Sequence, residues 1–297
     1  MIKLRTMSAR DIAALDPILM EAYQNPNSYK ARLERLLALG PGDWLLAERE
    51  GRIVGSGGIT VMGRVAYVGL VAVVPAERRQ GVAGLIMEGL LEGARKRGCS
   101  TVLLDASAAG QPLYEKLGFV AEDDACLWKR EEEAKEGILS GPEGMWVTSL
   151  AEENAARSLP LDSLPEELAG FDREALGWDR SRVLASFIAD DPALVSLARD
   201  RSGRLRGFAV VQASASILGP WVANDPLAAR ALLRRALEDR ERLPGMAYVP
   251  GANQDAAMAL ACAGFAPLRS NTHMRLGEAL PHARRRLVYS QASFALG

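Results

Sequence analysis

An apolar run, Ala66-Tyr67-Val68-Gly69-Leu70-Val71-Ala72-Val73-Val74, leads through Pro75 into Arg78-Arg79-Gln80-Gly81-Val82-Ala83. A helical run, Gly84-Leu85-Ile86-Met87-Glu88-Gly89-Leu90-Leu91, follows at once. A strand that enters a helix through a turn of small residues constrains the chain to α/β architecture and prepares an anion site. The first N–H groups of a helix have no partner within it, and the helix dipole places partial positive charge there. Gly81 and Ala83 keep side chains away from the turn's backbone, and Arg78 and Arg79 supply charged donors. The turn lacks the Lys-Ser/Thr of a P-loop and is not a Gly-x-Gly-x-x-Gly fingerprint. Standing alone, it would also serve as an ordinary connection with solvated arginines.

A second segment narrows the reading: Leu103-Leu104-Asp105-Ala106-Ser107, then Gln111-Pro112-Leu113-Tyr114-Glu115-Lys116-Leu117-Gly118-Phe119. With the first turn, it resembles the GNAT superfamily of N-acetyltransferases, which move an acyl group from coenzyme A to an amine. The turn matches that family's Arg/Gln-x-x-Gly-x-Gly/Ala loop, and Tyr114 to Phe119 matches its Tyr-x-x-x-Gly-Phe. The resemblance covers roughly residues 2–130 and implies acetyl-CoA as the acyl donor. It implies that the backbone of Val71, Ala72 and Val73 pairs with the pantetheine arm. It also implies that Arg78, Arg79, Gln80, Gly81, Val82, Ala83 and Gly84 wrap the pyrophosphate. Ser107 stands where the family often has a cofactor-touching Asn, and its hydroxyl is shorter. Tyr114 stands at the usual general acid, and a phenol can protonate a departing thiolate. The expected reaction is direct attack by a small-molecule primary amine in a ternary complex. Holding amine and thioester in contact would supply most of the rate. The rival readings are a non-catalytic acyl-CoA sensor, a longer acyl chain, or an O-linked acceptor.

One feature departs from the family pattern. Histone-type relatives carry a Glu on the central strand as general base, and that position here is Tyr67. No Asp or Glu lies between Ala66 and Val74. The base is therefore a water relay, Asp105, or the carboxylate of Gly297.

The second half is a decayed copy of the first. Laying Gly264-Phe265 on Gly118-Phe119 places Asn253 on Ser107, Ala256 on Gly110 and Leu260 on Tyr114. Asn224-Asp225-Pro226-Leu227-Ala228-Ala229 then falls on Arg78 to Ala83. Both arginines are gone, Leu227 replaces Gly81, and Pro226 removes an amide donor. Leu260 cannot donate a proton. The copy is expected to keep the fold and lose the activity, with Asn224 or Asp225 as an N-cap. Phe171-Asp172-Arg173, Gly177-Trp178-Asp179-Arg180 and Ile217 to Ala223 resemble the second domain of a bacterial tandem subgroup of largely unassigned substrate.

Two domains fit 297 residues. The expected layout is a catalytic domain at 1–130, a linker at 131–145 and a degenerate domain at 146–297. Each would be a mixed, mostly antiparallel sheet flanked by helices, with helices near 172–189 and 226–240 in the second. A net charge of −1 gives no basic excess for nucleic acid. No stretch has the length of a membrane helix, and no apolar leader follows Met1. Cys99, Cys126 and Cys262 are unpatterned, which suits reduced thiols in a cytoplasm. His273 and His282 are too few and too far apart for zinc, so no metal is expected. Paired copies can stand in for a dimer, so a monomer is expected, with a homodimer as the alternative.

The acceptor side is less defined. Tyr23, Tyr29, Tyr67 and Asp105 could contact an amine, and Glu21 and Asp43 could favour a cation. Trp178 and Trp221 could line a further wall or lie in a core.

Overall fold

The computed structural model describes residues 1–40, 42–132 and 144–297. The first copy runs β1 Ile2–Thr6, α1 Ile12–Tyr23, α2 Lys30–Ala38, β2 Gly42–Arg49, β3 Arg52–Met62, β4 Val65–Val73, α3 Val82–Lys96, β5 Thr101–Ala106, α4 Gln111–Lys116 and β6 Val120–Arg130. The second runs β7 Met145–Ser149, α5 Leu150–Ala156, α6 Glu166–Leu176, α7 Ser181–Ile188, β8 Val195–Asp200, β9 Leu205–Gln212, β10 Ile217–Ala223, α8 Pro226–Glu238, β11 Met246–Pro250, α9 Gln254–Cys262, β12 Phe265–Gly277 and β13 Val288–Ser290. The second copy repeats the order of the first, with one more helix between its first two strands and β13 added after β12. Among the described residues no helix is long and apolar enough to cross a membrane.

The chain forms two compact units, and they do not follow chain order strictly. Unit 1 holds Met1–Ala121, Met274–Ala279 and Leu296; unit 2 holds Glu122–His273, Leu280–Ala295 and Gly297. The break therefore falls before the boundary at residue 130 read from the sequence. The physical reason is strand pairing. Ala125 to Lys129 of β6 pair antiparallel with Pro250 to Met246 of β11, inside unit 2. The last residues of β12 instead complete unit 1, where the Glu278 N–H donates to Ser100 O at 3.0 Å. Most of the linker expected at 131–145 lies outside the described residues.

In unit 1 the strand order is β1-β2-β3-β4-β5, antiparallel except for the parallel β4–β5 pair. Side chains alternate between the two faces of such a sheet. One face carries Ile59, Val61, Ala66, Val68, Val102 and Leu104, packed with Val82, Ile86, Met87, Leu90 and Ala94 of α3. Those helix positions recur at helical spacing, so α3 buries one continuous stripe. The other face carries Trp44, Thr60, Tyr67, Leu103 and Asp105. Leu36 and Leu37 of α2 share a small cavity with Trp44 and Thr60 there.

In unit 2, β11-β10-β9-β8-β7 repeats the arrangement around a core that includes Trp221, Leu232, Leu233 and Leu260. The helical region read at 172–189 is two helices. Gly177 ends α6 at φ +84°, a left-handed conformation that favours glycine. A Cβ there would stand 3.0 Å from Ala283 N, so the position admits little else.

Gly58 is a sharper requirement. A Cβ on it would lie 2.2 Å from the Trp44 ring. Gly58→Ala is expected to destabilise the protein by about 1–3 kcal/mol through overpacking, read by urea denaturation.

Candidate active site

The parallel ladder of β4 and β5 covers only Val65–Thr101, Ala66–Val102 and Tyr67–Leu103. Beyond that point the two strands part. β4 also bends away, because Leu70 takes φ +53° and the register against β3 shifts between Ser56 and Gly58. A bulge of this kind re-aims the residues after it. A non-glycine residue held there costs about 1–3 kcal/mol. Ser56 Oγ steadies it by donating to Leu70 O at 3.2 Å. The carbonyls of Val71 and Val73 both receive side-chain donors, from Tyr23 Oη at 3.1 Å and Arg78 Nε at 3.2 Å.

The turn after β4 has the geometry of an anion cradle. Arg79 and Gly81 both have positive φ, +63° and +83°, and Gly81 is the N-cap of α3. The first bond of α3 runs from Leu85 N–H to Gly81 O. The N–H groups before it thus lie outside the helical ladder. A Cβ on Gly81 would meet nothing within 4 Å, so side chains leave the backbone accessible. Arg78, Arg79, Gln80 and Gly81 are exposed, while Val82 is buried beneath. Arg49, at the end of β2, braces the turn through Gln80 Oε1 and Glu77 Oε2, each at 3.0 Å.

Tyr114 lies on α4, packed edge-to-face on Phe119 with ring centroids 5.9 Å apart. Burial pushes its phenol up to about 12, because an apolar site penalises the phenolate. The group thus holds its proton throughout the neutral range. Gly110 makes room for it, since a Cβ there would come within 3.0 Å of the ring. Ser107 opens the turn into α4: its carbonyl accepts from Gly110 and Gln111 N–H at 2.9 Å, and its hydroxyl stays exposed.

The candidate acceptor residues separate. Tyr67, fully buried, donates its phenol proton to Asp105 Oδ2 at 2.7 Å, at the point where β4 and β5 part. Tyr23 reaches β4, as described. Tyr29 is buried as part of a loop clamp, its N–H bonded to the buried Asp16 carboxylate at 2.6 Å and its ring 5.9 Å from that of Tyr23. Asp43 is committed to Arg97 at 2.8 Å, beside α3. Trp221 is fully buried in unit 2's core against Tyr289, with centroids 4.9 Å apart, and Trp178 is buried too. Both indoles are buried within that unit, Trp221 in its main core cluster. The Gly297 oxygen accepts from Arg180 Nη1 at 2.5 Å and from Ala292 N–H at 2.9 Å, within unit 2. Arg180 is itself buried and forked onto Asp172.

Unit 2 repeats the parting strands and fills the space between them from its own chain. β10 pairs in parallel with β11 only at Ile217–Met246 and Leu218–Ala247. Beyond that, β13 pairs antiparallel with β10 at Trp221–Ser290 and Val222–Val288. It also ties to β11, because Tyr248 N–H donates to Ser290 Oγ at 2.9 Å and Gln291 N–H to Tyr248 O at 2.8 Å. At the start of α8, Asp225 Oδ1 accepts from Leu227 and Ala228 N–H, both at 2.9 Å, and Arg206 pairs with the same carboxylate at 2.8 Å. The N-cap expected at Asn224 or Asp225 is Asp225. The anion position of this copy is thus taken by a side chain, and Leu260 is fully buried.

Comparison with known proteins agrees with this doubled geometry. Residues 12–119 match the acetyltransferase (GNAT) family and residues 168–290 match an acetyltransferase (GNAT) domain. The chain is a tandem member of the GNAT acetyltransferase family. A structure from Pyrococcus horikoshii, described as a candidate acetyltransferase, superposes with a TM-score of 0.83 at 26% identity, over 100% of this chain and 96% of that one. A tandem GNAT protein of clavulanic acid biosynthesis shares the fold at 16% identity, with a TM-score of 0.62, over 93% of this chain and 98% of that one. Glucosamine 6-phosphate N-acetyltransferase 1 of Oryza sativa subsp. japonica is 32% identical over 106 residues, 32% of this chain. Its counterpart in Trypanosoma brucei brucei is 39% identical over 80 residues, 25% of this chain. The chain spans 64% and 54% of the lengths of those two relatives.

GNAT acetyltransferases use acetyl-CoA, and the backbone at Gly81 faces open space in the turn that follows β4. Sequence reasoning on this GNAT protein missed the Tyr23–Val71 bond, the Asp16 clamp and β13. The first two have no spacing signature; Val288-Tyr289-Ser290 was too short to read as a strand. Asp225→Ala is expected to cost about 1 kcal/mol by uncapping α8. Calorimetry should show no added acetyl-CoA site in this variant, because β13 still fills the space between β10 and β11.

Proposed function

We propose that the protein transfers an acetyl group from acetyl-CoA to the primary amine of a small-molecule acceptor by direct attack, with Tyr114 as general acid. The observation that carries this reading is the convergence on one place in unit 1 of three features. These are the backbone of β4 after its bulge, the exposed turn at the start of α3, and a buried phenol on α4 that shares a cluster with Val71, Val73 and Val82. Val71, Ala72 and Val73 would pair with the donor's extended arm. Arg78, Arg79, Gln80, Gly81, Val82, Ala83 and Gly84 would hold its pyrophosphate, with Ser107 beside the arm. The donor supplies an activated acetyl thioester. The chain's part is to align it and to keep a proton on Tyr114 Oη for the leaving sulfur.

Tyr23 and Arg78 each donate to a carbonyl of this segment, at Val71 and Val73, and each carbonyl keeps a second lone pair for a strand-like arm. An amino-sugar phosphate is the first acceptor to try, because the two curated relatives are glucosamine 6-phosphate N-acetyltransferases. Their shared length with this chain supports testing that class and carries no further.

Calorimetric titration of acetyl-CoA should give one site per chain, lost in Gly81→Leu, which brings in the Leu227 of the second copy. Two sites would contradict the reading. Tyr114→Phe should keep acetyl-CoA affinity and lower kcat by about 100-fold or more, as expected on losing a general acid. The pH profile follows from burial. A phenol raised to about 12 stays protonated below that value, so kcat/KM should rise as the acceptor amine loses its proton and should show no descending limb up to about pH 10. A fall beginning near pH 8 would exclude Tyr114 as the acid.

A further inference from the structure

The turn that opens α3 carries an acid as well as its arginines. Glu77 ends a short helical turn, Pro75–Glu77, just before the N-cap Gly81. It is half-buried, and its Oε2 lies 3.0 Å from Arg49 Nη1. The same nitrogen donates to Gln80 Oε1, also at 3.0 Å. One guanidinium thus gathers both side chains. Gln80 is held at its other end too, since its Nε2 donates to Ala76 O at 3.0 Å. An amide accepts at one end and donates at the other, so these two partners fix its direction.

Topology brings Arg49 to this place. β2 and β4 both run antiparallel to β3, so they end at the same edge of the sheet. Arg49 is the last residue of β2 and is paired on both sides, with Ile2 and with Arg52. Its backbone is therefore fixed. The turn it reaches is exposed and takes positive φ at Arg79 and Gly81. At a non-glycine residue such as Arg79, that conformation persists only when the surroundings hold it.

A carboxylate beside an anion site harms it in two ways. It repels the incoming charge, and it competes for the same helix N–H groups. Unit 2 shows the second outcome, because Asp225 accepts from the first N–H groups of α8. In unit 1 the acid is turned onto Arg49 instead. Resting on the acetyltransferase reading, we infer that Arg49 is a positioning residue for the donor's pyrophosphate. It offsets the charge of Glu77, holds that carboxylate off the start of α3, and fixes Gln80 so that the turn stays open. Arg49 needs no contact with the donor to do this.

The test titrates acetyl-CoA calorimetrically into wild type, Arg49→Lys, Arg49→Met, Glu77→Gln and the double variant Arg49→Met/Glu77→Gln. Circular dichroism shows whether each is folded. Arg49→Met should weaken acetyl-CoA binding about 10-fold or more. Arg49→Lys keeps the charge without the planar fork and should lose less. Glu77→Gln should bind at least as tightly as wild type. The double variant should recover most of what Arg49→Met loses, a non-additivity that lost structural support alone would not give. Added salt should narrow the gap between Arg49→Met and wild type, because it screens Glu77. Were Arg49→Met unfolded, Arg49→Lys with and without Glu77→Gln makes the same comparison. Wild-type affinity in Arg49→Met would overturn this inference and leave the acetyltransferase reading standing. A double variant as weak as Arg49→Met would overturn it too, by placing Arg49 on the donor itself or in the packing of the turn. No acetyl-CoA binding by wild type would overturn the donor reading, and the role of Arg49 with it.

Discussion

Everything functional in this chain depends on where two parallel strands stop pairing. β4 and β5 share three residue pairs and then part, and the bulge at Leu70 turns β4 further from its other neighbour. Backbone groups that a sheet would ordinarily satisfy are left facing a gap. Unsatisfied backbone is costly when buried, so such a gap persists only if something partners it. In unit 1 the partners are side chains, Tyr23 and Arg78, which can leave. The helix start that follows adds N–H groups of its own. An extended, anionic ligand would answer both needs.

Unit 2 shows the same constraint met permanently. β13 lies against β10 and β11 beyond their last parallel pair, and Asp225 supplies the negative charge at the start of α8. The replacement is chemically close: a peptide strand for an amide-bearing arm, and a carboxylate for a phosphate. Arg206 then neutralises that carboxylate. The buried Arg180–Asp172 pair holds the Gly297 oxygen within the same unit. Breaking such a pair by removing one partner commonly costs about 3–5 kcal/mol.

Much of this was legible from residues alone. The order of strands and helices followed from hydrophobic period, and Gly81 and the Gly118-Phe119 pair marked the turn and the last strand. Asp225-Pro226 read correctly as a helix start because capping is local chemistry. Nonlocal contacts were not legible. β6 closes the first copy in sequence yet pairs with β11, and no local signal records that choice. Trp221 stood open between a pocket wall and a core because an indole suits both; the packing against Tyr289 has no local signal. The Tyr67–Asp105 bond joins residues on separate strands whose shared face depends on register.

The central claim is that one gap admits a ligand while its copy is filled from within. Hydrogen–deuterium exchange with and without acetyl-CoA tests it most directly. The account predicts slower exchange on addition of acetyl-CoA across residues 71–84 and around 107–114, with residues 217–223, 246–250 and 288–290 unchanged. Protection of β10, β11 and β13, or none at the start of α3, would contradict it.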